Sequence, residues 1–365
     1  MRKFVILYIA LCLVIIIGFA ELICRFIQPP GSFTTLSYDP DVGWRYRANI
    51  NLKIGDSRFI TNSCGFRGRN YSKNKPDDTE RIVFLGDSYA AGIGFEPYPA
   101  LLEKNLNSLI NSGWKYEVIN ASVSAWATDQ QYIYLREEGI SYHPDIVILN
   151  TVPNDIKENY TRGMVGLEGG KLIERGIPSI SLPKNLFWYL SGHSYIFQMF
   201  QNICGTRYGY FDGLNLHPWW KGGLTYTDLF KPKLTENGRE AFQLYEILLK
   251  KIRDLCSENG AQLLLLITPA KVELSNGSEE IKNPDGTIVF SGGWDNIPPG
   301  QVSNIIASLA EELGIKYINM YNLMTATPSQ QKYFLSQDFH FNRKGHEFIA
   351  RQISAYLNKN RDYQE

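Results

Sequence analysis

An excess of charge of either sign is missing from this chain of 365 residues: 37 Lys and Arg balance 37 Asp and Glu, and no block of like charge interrupts the balance. That excludes the electrostatic footprint of a nucleic-acid binder, so neither DNA nor RNA is an expected partner. Cysteine is scarce as well. Cys12 and Cys24 lie in the first apolar segment, and Cys64, Cys204 and Cys256 are scattered beyond it, none at metal-ligand spacing. A structural zinc site and a disulfide-stapled fold are therefore not expected. Spacing does not choose a pair among the three outer cysteines, and buried free thiols are the simpler reading. No internal repeat and no low-complexity tract is present. With 44% hydrophobic and 20% charged residues the composition is that of a folded globular chain.

What the chain does have begins at once. "MRKFVILYIALCLVIIIGFAELICRF" carries Arg2 and Lys3 and then no charge from Phe4 to Ala20. Seventeen uncharged residues reach the short end of the spanning range of about 17 to 25. Residues 1–27 are read as a membrane anchor with its N-terminus inside and the body outside the cytoplasm. The alternative is a signal segment cut after Gly18 and Ala20, with the body secreted.

Residues 28–80 read as an irregular lead-in, rich in Gly, Asn, Asp, Ser and Arg. From Arg81 onward short apolar runs alternate with amphipathic stretches: "IVFL" at 82–85, "YEVIN" at 116–120, "DIVILN" at 145–150, "LLLLIT" at 263–268 and "KYINM" at 316–320. Continuous Val, Ile and Leu runs suit strands covered on both faces, and "YPALLEKNLNSLI", "REAFQLYEILLKKIRDLCSENG" and "VSNIIASLAEELG" have helical spacing. The expected fold over 81–360 is a three-layer α/β/α sandwich with a mostly parallel sheet of about five strands. Insertions are expected at about 157–235, aromatic-rich and containing Trp188, Trp219 and Trp220, and at about 271–300.

"GDS" occurs twice. Ser57 lies in "KIGDSRFITNSCG", which reads as a turn, whereas Ser88 follows the run "RIVFL" directly and precedes a helix. In open parallel sheets the crevice beyond the strand C-termini is where loops converge, and Ser88 would stand in it. The loops "ASVSAWATDQQ" and "TVPNDI", carrying Asn154 and Asp155, follow the next two runs into the same place. A serine needs a base. His143 precedes the third run and falls at the wrong end of the sheet, and His193 and His217 lie in the aromatic insertion. His346 opens the last helix with only Glu347 adjoining it. In "SQDFHFNRKGH", Asp338 and His340 stand two apart, close enough for a carboxylate to fix the tautomer of the imidazole.

"GDSY" after a strand, "VINASVSAWATDQQ", "PND" and "DFHFNRKGH", in this order, resemble the four sequence blocks of the SGNH (GDSL-type) hydrolases, over roughly Arg81 to the C-terminus with the insertions left out. "YDPDVGWRYRAN" and "TNSCGFRG" resemble lead-in segments of membrane-anchored bacterial members. The resemblance implies an SGNH, flavodoxin-like fold. It makes Ser88 the nucleophile, His340 its base and Asp338 the orienting carboxylate, with an oxyanion hole from the N–H groups of Ser88 and Ala125 and the Asn154 amide, and no metal or organic cofactor. Three places depart from the usual blocks. Ala125 stands where Gly is usual, "VPND" lacks the Gly ahead of Asn-Asp, and Gln337 holds the place three before His that the Asp usually has. Ala in place of Gly matters if that loop needs a positive φ. The implied activity is hydrolysis of an acyl ester, such as an O-acetyl group on a cell-envelope glycan. A lipid ester, acyl transfer to an acceptor hydroxyl by the same triad, and a non-catalytic envelope binding or assembly role are the competing readings.

Overall fold

Strands made only of Val, Ile, Leu and Phe must be covered on both faces, and the arrangement of the chain shows what covers them. The computed structural model describes residues 2–27, 35–54, 57–109, 114–162, 164–176, 186, 189–190, 194–197, 199, 223–274, 281–282, 288–290, 297–327, 330–336 and 338–361. Along the chain run the helix α1 (Arg2–Ile27) and the strands β1 (Leu36–Asp39), β2 (Gly43–Tyr46), β3 (Asn51–Ile54) and β4 (Ser57–Ile60). Then come β5 (Thr79–Gly86), α2 (Ser88–Ala91), α3 (Tyr98–Ser108), β6 (Lys115–Ser122), α4 (Thr128–Glu137), β7 (Ile146–Thr151) and α5 (Pro153–Arg162). The last part holds α6 (Glu236–Glu258), β8 (Gln262–Ile267), α7 (Gln301–Glu312), β9 (Lys316–Asn319) and α8 (Arg343–Arg361).

The five strands expected from the apolar runs form one parallel sheet in the order β9-β8-β7-β5-β6. Alternate residues serve opposite layers. Ile82 and Phe84 of β5, Val118, Ile148 and Leu264 pack with Leu102 and Leu106 of α3 and Phe348, Ile349 and Ile353 of α8. Val83, Leu85, Ile119, Leu149 and Leu265 face the other way onto Leu248 and Ile252 of α6 and Val302 and Ile306 of α7. The result is the three-layer α/β/α sandwich with flavodoxin-like strand order, in which β5 lies between β6 and β7 and the strand order reverses.

Two helices escaped the periodicity because their buried faces mix polar with apolar residues. Thr128, Asp129, Gln130 and Gln131 of α4 and Asp155 and Asn159 of α5 have no exposed surface. Hydropathy spacing finds helices with an unbroken apolar stripe, and these bury amides and carboxyls alongside Ile133, Leu135 and Ile156.

The expectation of an irregular lead-in is corrected. β1 pairs with β2 and β3 with β4, each antiparallel. Trp44, Tyr46, Phe59 and Phe66 are buried in the same core as one face of the sheet. Short strands with few apolar residues gave little alternation to read. Gly65 has φ of +76°, and a Cβ there would strike the Tyr46 carbonyl oxygen, so this turn needs glycine. Ser57 opens β4 opposite Ile54, so it begins a hairpin strand rather than sitting within a turn.

α1 is long and apolar enough to cross a membrane, with mean hydropathy 2.8 over its best window. His193, His217, Trp188, Trp219, Trp220, Cys204 and Gln337, and with them much of both expected insertions, lie outside the described residues. Cys64 and Cys256 are free thiols.

Candidate functional site

Ser88 owes its position to three local features. β5 ends at Gly86, where an added Cβ would lie 2.9 Å from the Ala90 Cβ and 3.1 Å from the Ser122 Oγ, so glycine lets the turn pass close to β6. Asp87 caps α2, its Oδ1 accepting the Tyr89 N–H at 3.0 Å. Gly92 at φ +64° then ends the helix after one turn. Ser88 is thereby presented at the C-terminal end of β5, in the crevice between the loops that follow β6 and β7.

Residues far apart in sequence meet there. The Ser88 Oγ lies 2.8 Å from the His340 Nε2, and the His340 Nδ1 lies 2.8 Å from the Asp338 Oδ1. Asp338 also accepts the His340 backbone N–H at 3.2 Å. Burial works against the Asp338 charge, but these bonds from His340 and one from the Phe339 backbone outweigh it and hold the carboxyl below its ordinary range. The rings of Tyr89 and Phe339 stand 5.1 and 4.5 Å from the His340 ring and fix its plane.

Beside Ser88, the Asn154 Nδ2 donates to the Asp87 Oδ2 at 3.4 Å. Burial pushes the Asp87 carboxyl up to about 6, against the Tyr89 N–H and the His340 charge. Asp155 does not enter the crevice. It is buried, and its Oδ2 accepts the Val152 N–H at 3.0 Å, bracing the turn out of β7. On the β6 side Ala125 has φ of +62°, the left-handed conformation in which Gly is favoured over Ala. Among the described residues its N–H has no acceptor.

A family model for the GDSL-like Lipase/Acylhydrolase family matches residues 84–348. The chain belongs to that family. It is an ester-hydrolysing enzyme, and the matched span contains Ser88, Ala125, Asn154, Asp338 and His340. No curated protein sequence matches the chain. Among solved structures, a lipase/acylhydrolase from Enterococcus faecalis is similar at 15% identity, with 77% of this chain and 96% of that chain covered and a TM-score of 0.41. Axe2, an acetylxylan esterase from Geobacillus stearothermophilus, is similar at 12% identity over 74% of this chain and 91% of its own, with a TM-score of 0.38.

The other serine and histidines fall elsewhere. Ser57 is on the β3–β4 hairpin, and exposed His143 precedes β7 at the opposite end of the sheet. His346 is buried, accepts the Tyr98 N–H on Nδ1 at 3.3 Å, and is pushed down to about 3 by burial and by the Arg67 and His340 charges. It is a neutral acceptor at the start of α3.

Sequence reasoning missed the residues that hold the site's loops. Arg67, from "TNSCGFRG", is buried and donates to the carbonyls of Ala91, Gly92 and Arg58. It therefore grips the end of α2. Trp44 and Tyr46 reach the loop around Ala125. The signal available was an unusual density of Trp, Tyr and Arg in a segment otherwise polar and turn-rich.

Proposed function

We propose that the chain is a serine esterase that removes an acyl group, in the first place acetyl, from an ester of a cell-envelope glycan through a covalent acyl-enzyme. The observation that carries this reading is the chain of two 2.8 Å contacts from Ser88 Oγ through the His340 ring to Asp338. It is the arrangement that turns a weakly nucleophilic hydroxyl into a strong one.

In the first step Ser88 Oγ attacks the ester carbonyl carbon while its proton passes to His340 Nε2. The Ser88 and Ala125 N–H groups and the Asn154 amide receive the developing oxyanion. When the tetrahedral intermediate collapses, the imidazolium returns its proton to the leaving alkoxide, and the acyl group stays on Ser88. Water, deprotonated by His340, attacks the acyl-enzyme in the second half and regenerates Ser88. Asp338 keeps the proton-bearing Nδ1 turned toward itself, so that Nε2 is free to accept. Asn154 must turn from Asp87 toward the substrate oxygen, a movement made easier by the long 3.4 Å contact it leaves.

The glycan is supported by α1, which reads as a span that would keep the body at a membrane surface. The test uses the full chain in detergent with a fluorophosphonate probe and peptide mapping, with Ser88→Ala and Ser57→Ala as controls. Label on Ser88 that survives Ser57→Ala and vanishes in Ser88→Ala supports the reading, and release of acetate from O-acetylated envelope glycan identifies the substrate. An unlabelled but folded protein would show that this serine is not activated.

A further inference from the structure

Ser124, the residue before left-handed Ala125, has its backbone and side chain held by two residues of the lead-in. The Tyr46 hydroxyl accepts the Ser124 N–H at 3.0 Å and lies 2.7 Å from the Ser124 Oγ. The Trp44 Nε1 donates to the Ser124 carbonyl oxygen at 3.0 Å. On the far side of Ala125, Arg162 donates to the Ala125 carbonyl and lies over the Trp44 ring, 5.1 Å from its centroid, while the Trp126 Nε1 donates back to the Trp44 carbonyl at 2.7 Å. Trp44, Tyr46 and Trp126 are all buried.

The geometry of a peptide turns these contacts into an aim. In a planar trans peptide the N–H points opposite to the preceding C=O. Fixing the Ser124 carbonyl on the Trp44 indole therefore fixes the direction of the Ala125 N–H. The Arg162 contact fixes the next peptide plane, and φ of +62° at Ala125 is the consequence of holding both. Glycine adopts that conformation without help, whereas alanine has to be held in it.

We propose that Trp44 and Tyr46 are positioning residues that aim the Ala125 N–H into the oxyanion hole, so that the lead-in supplies what an alanine in place of glycine lacks. This inference rests on the acyl-enzyme reading above. It assigns a role in the reaction to polar atoms of a segment that precedes the sheet.

The experiment measures p-nitrophenyl acetate turnover by the full chain in detergent, normalised to active sites titrated with the fluorophosphonate, with a melting curve for each variant. Tyr46→Phe removes one oxygen and keeps the ring. It should lower kcat by roughly tenfold with KM changed by less than about twofold, since a misaimed donor loses transition-state contact and leaves ground-state binding intact. Trp44→Phe should do the same, and it carries the test if Tyr46→Phe does not fold. Adding Ala125→Gly to either variant should restore part of kcat, because glycine does not need the clamp. A purely structural role predicts instead a lower melting temperature with normal turnover per titrated site, no rescue by Ala125→Gly, or an increase confined to KM, and any of these results overturns the inference. If the wild type neither labels nor turns over ester, the acyl-enzyme reading has failed and the clamp falls with it; a wild type that does both separates the two questions.

Discussion

Asp338 lies two residues before its histidine, where three is common in the block it resembles, and its side chain reaches the His340 Nδ1 at 2.8 Å. Its carboxyl is held below its ordinary range despite partial burial, which favours the ionised form. In the proposed mechanism that charge has two uses: selecting the tautomer with Nε2 free, and stabilising the imidazolium when the Ser88 proton arrives. Asp338→Asn keeps the shape and removes the charge. We expect a loss on the order of 10³ to 10⁴ in the acylation rate, by analogy with the buried carboxylate of other serine triads, with little change in melting temperature. A rate within about tenfold of wild type would mean that another group orients His340.

At the scale of elements, the legible and the illegible parts divide by what each buries. β5, β7 and β8 were readable because Ile82 to Leu85, Ile146 to Leu149 and Leu263 to Leu266 are continuous apolar runs, and α6, α7 and α8 because their apolar stripes lie on them. Ser88 and His340 followed from the loops after such strands and before such helices. α4 and α5 were not readable, because they bury Asp129, Gln131, Asp155 and Asn159. Nor were the hairpins of the lead-in, whose work is done by single indole, phenol and guanidinium groups. The buried polar seam between α4 and α5 has a measurable consequence. Burial pushes the Asp129 carboxyl up to about 7 against the Arg162 charge and the Gln130 N–H, and its Oδ2 has no hydrogen-bond partner among the described residues. An unfolded Asp titrates near about 3.9, so the folded state holds this proton to higher pH. The stability that the protonated form contributes is present below the unfolded value and is lost as pH rises through about 7. Asp129→Asn should therefore raise the melting temperature, relative to wild type, by more at about pH 8 than at about pH 5. An equal difference at both pH values, or a larger one at the lower, would show that Asp129 is ionised in the folded state throughout.

At the scale of the whole molecule, the N-terminal helix makes specific contacts with residues 194–196. Glu21 accepts the Tyr195 and Ile196 backbone N–H groups at 2.7 and 3.2 Å and the Ser194 hydroxyl at 3.0 Å. Arg25 lies 5.3 Å over the Tyr195 ring. These contacts come from the last two turns of α1, where a span of this length would leave the bilayer. A cut after Ala20 would leave Glu21 as the first residue, its new ammonium beside a carboxylate that now receives three donors, and would separate the body from the membrane. We predict that the segment is retained and that the enzyme works at the surface of the bilayer. Intact mass should then include residues 1–27, and the protein should stay with the membrane pellet through an alkaline carbonate wash. A mature N-terminus at Glu21 with the enzyme in the soluble fraction would overturn that. It would leave the proposed chemistry at Ser88 unchanged but place the expected substrate in solution rather than at the membrane surface.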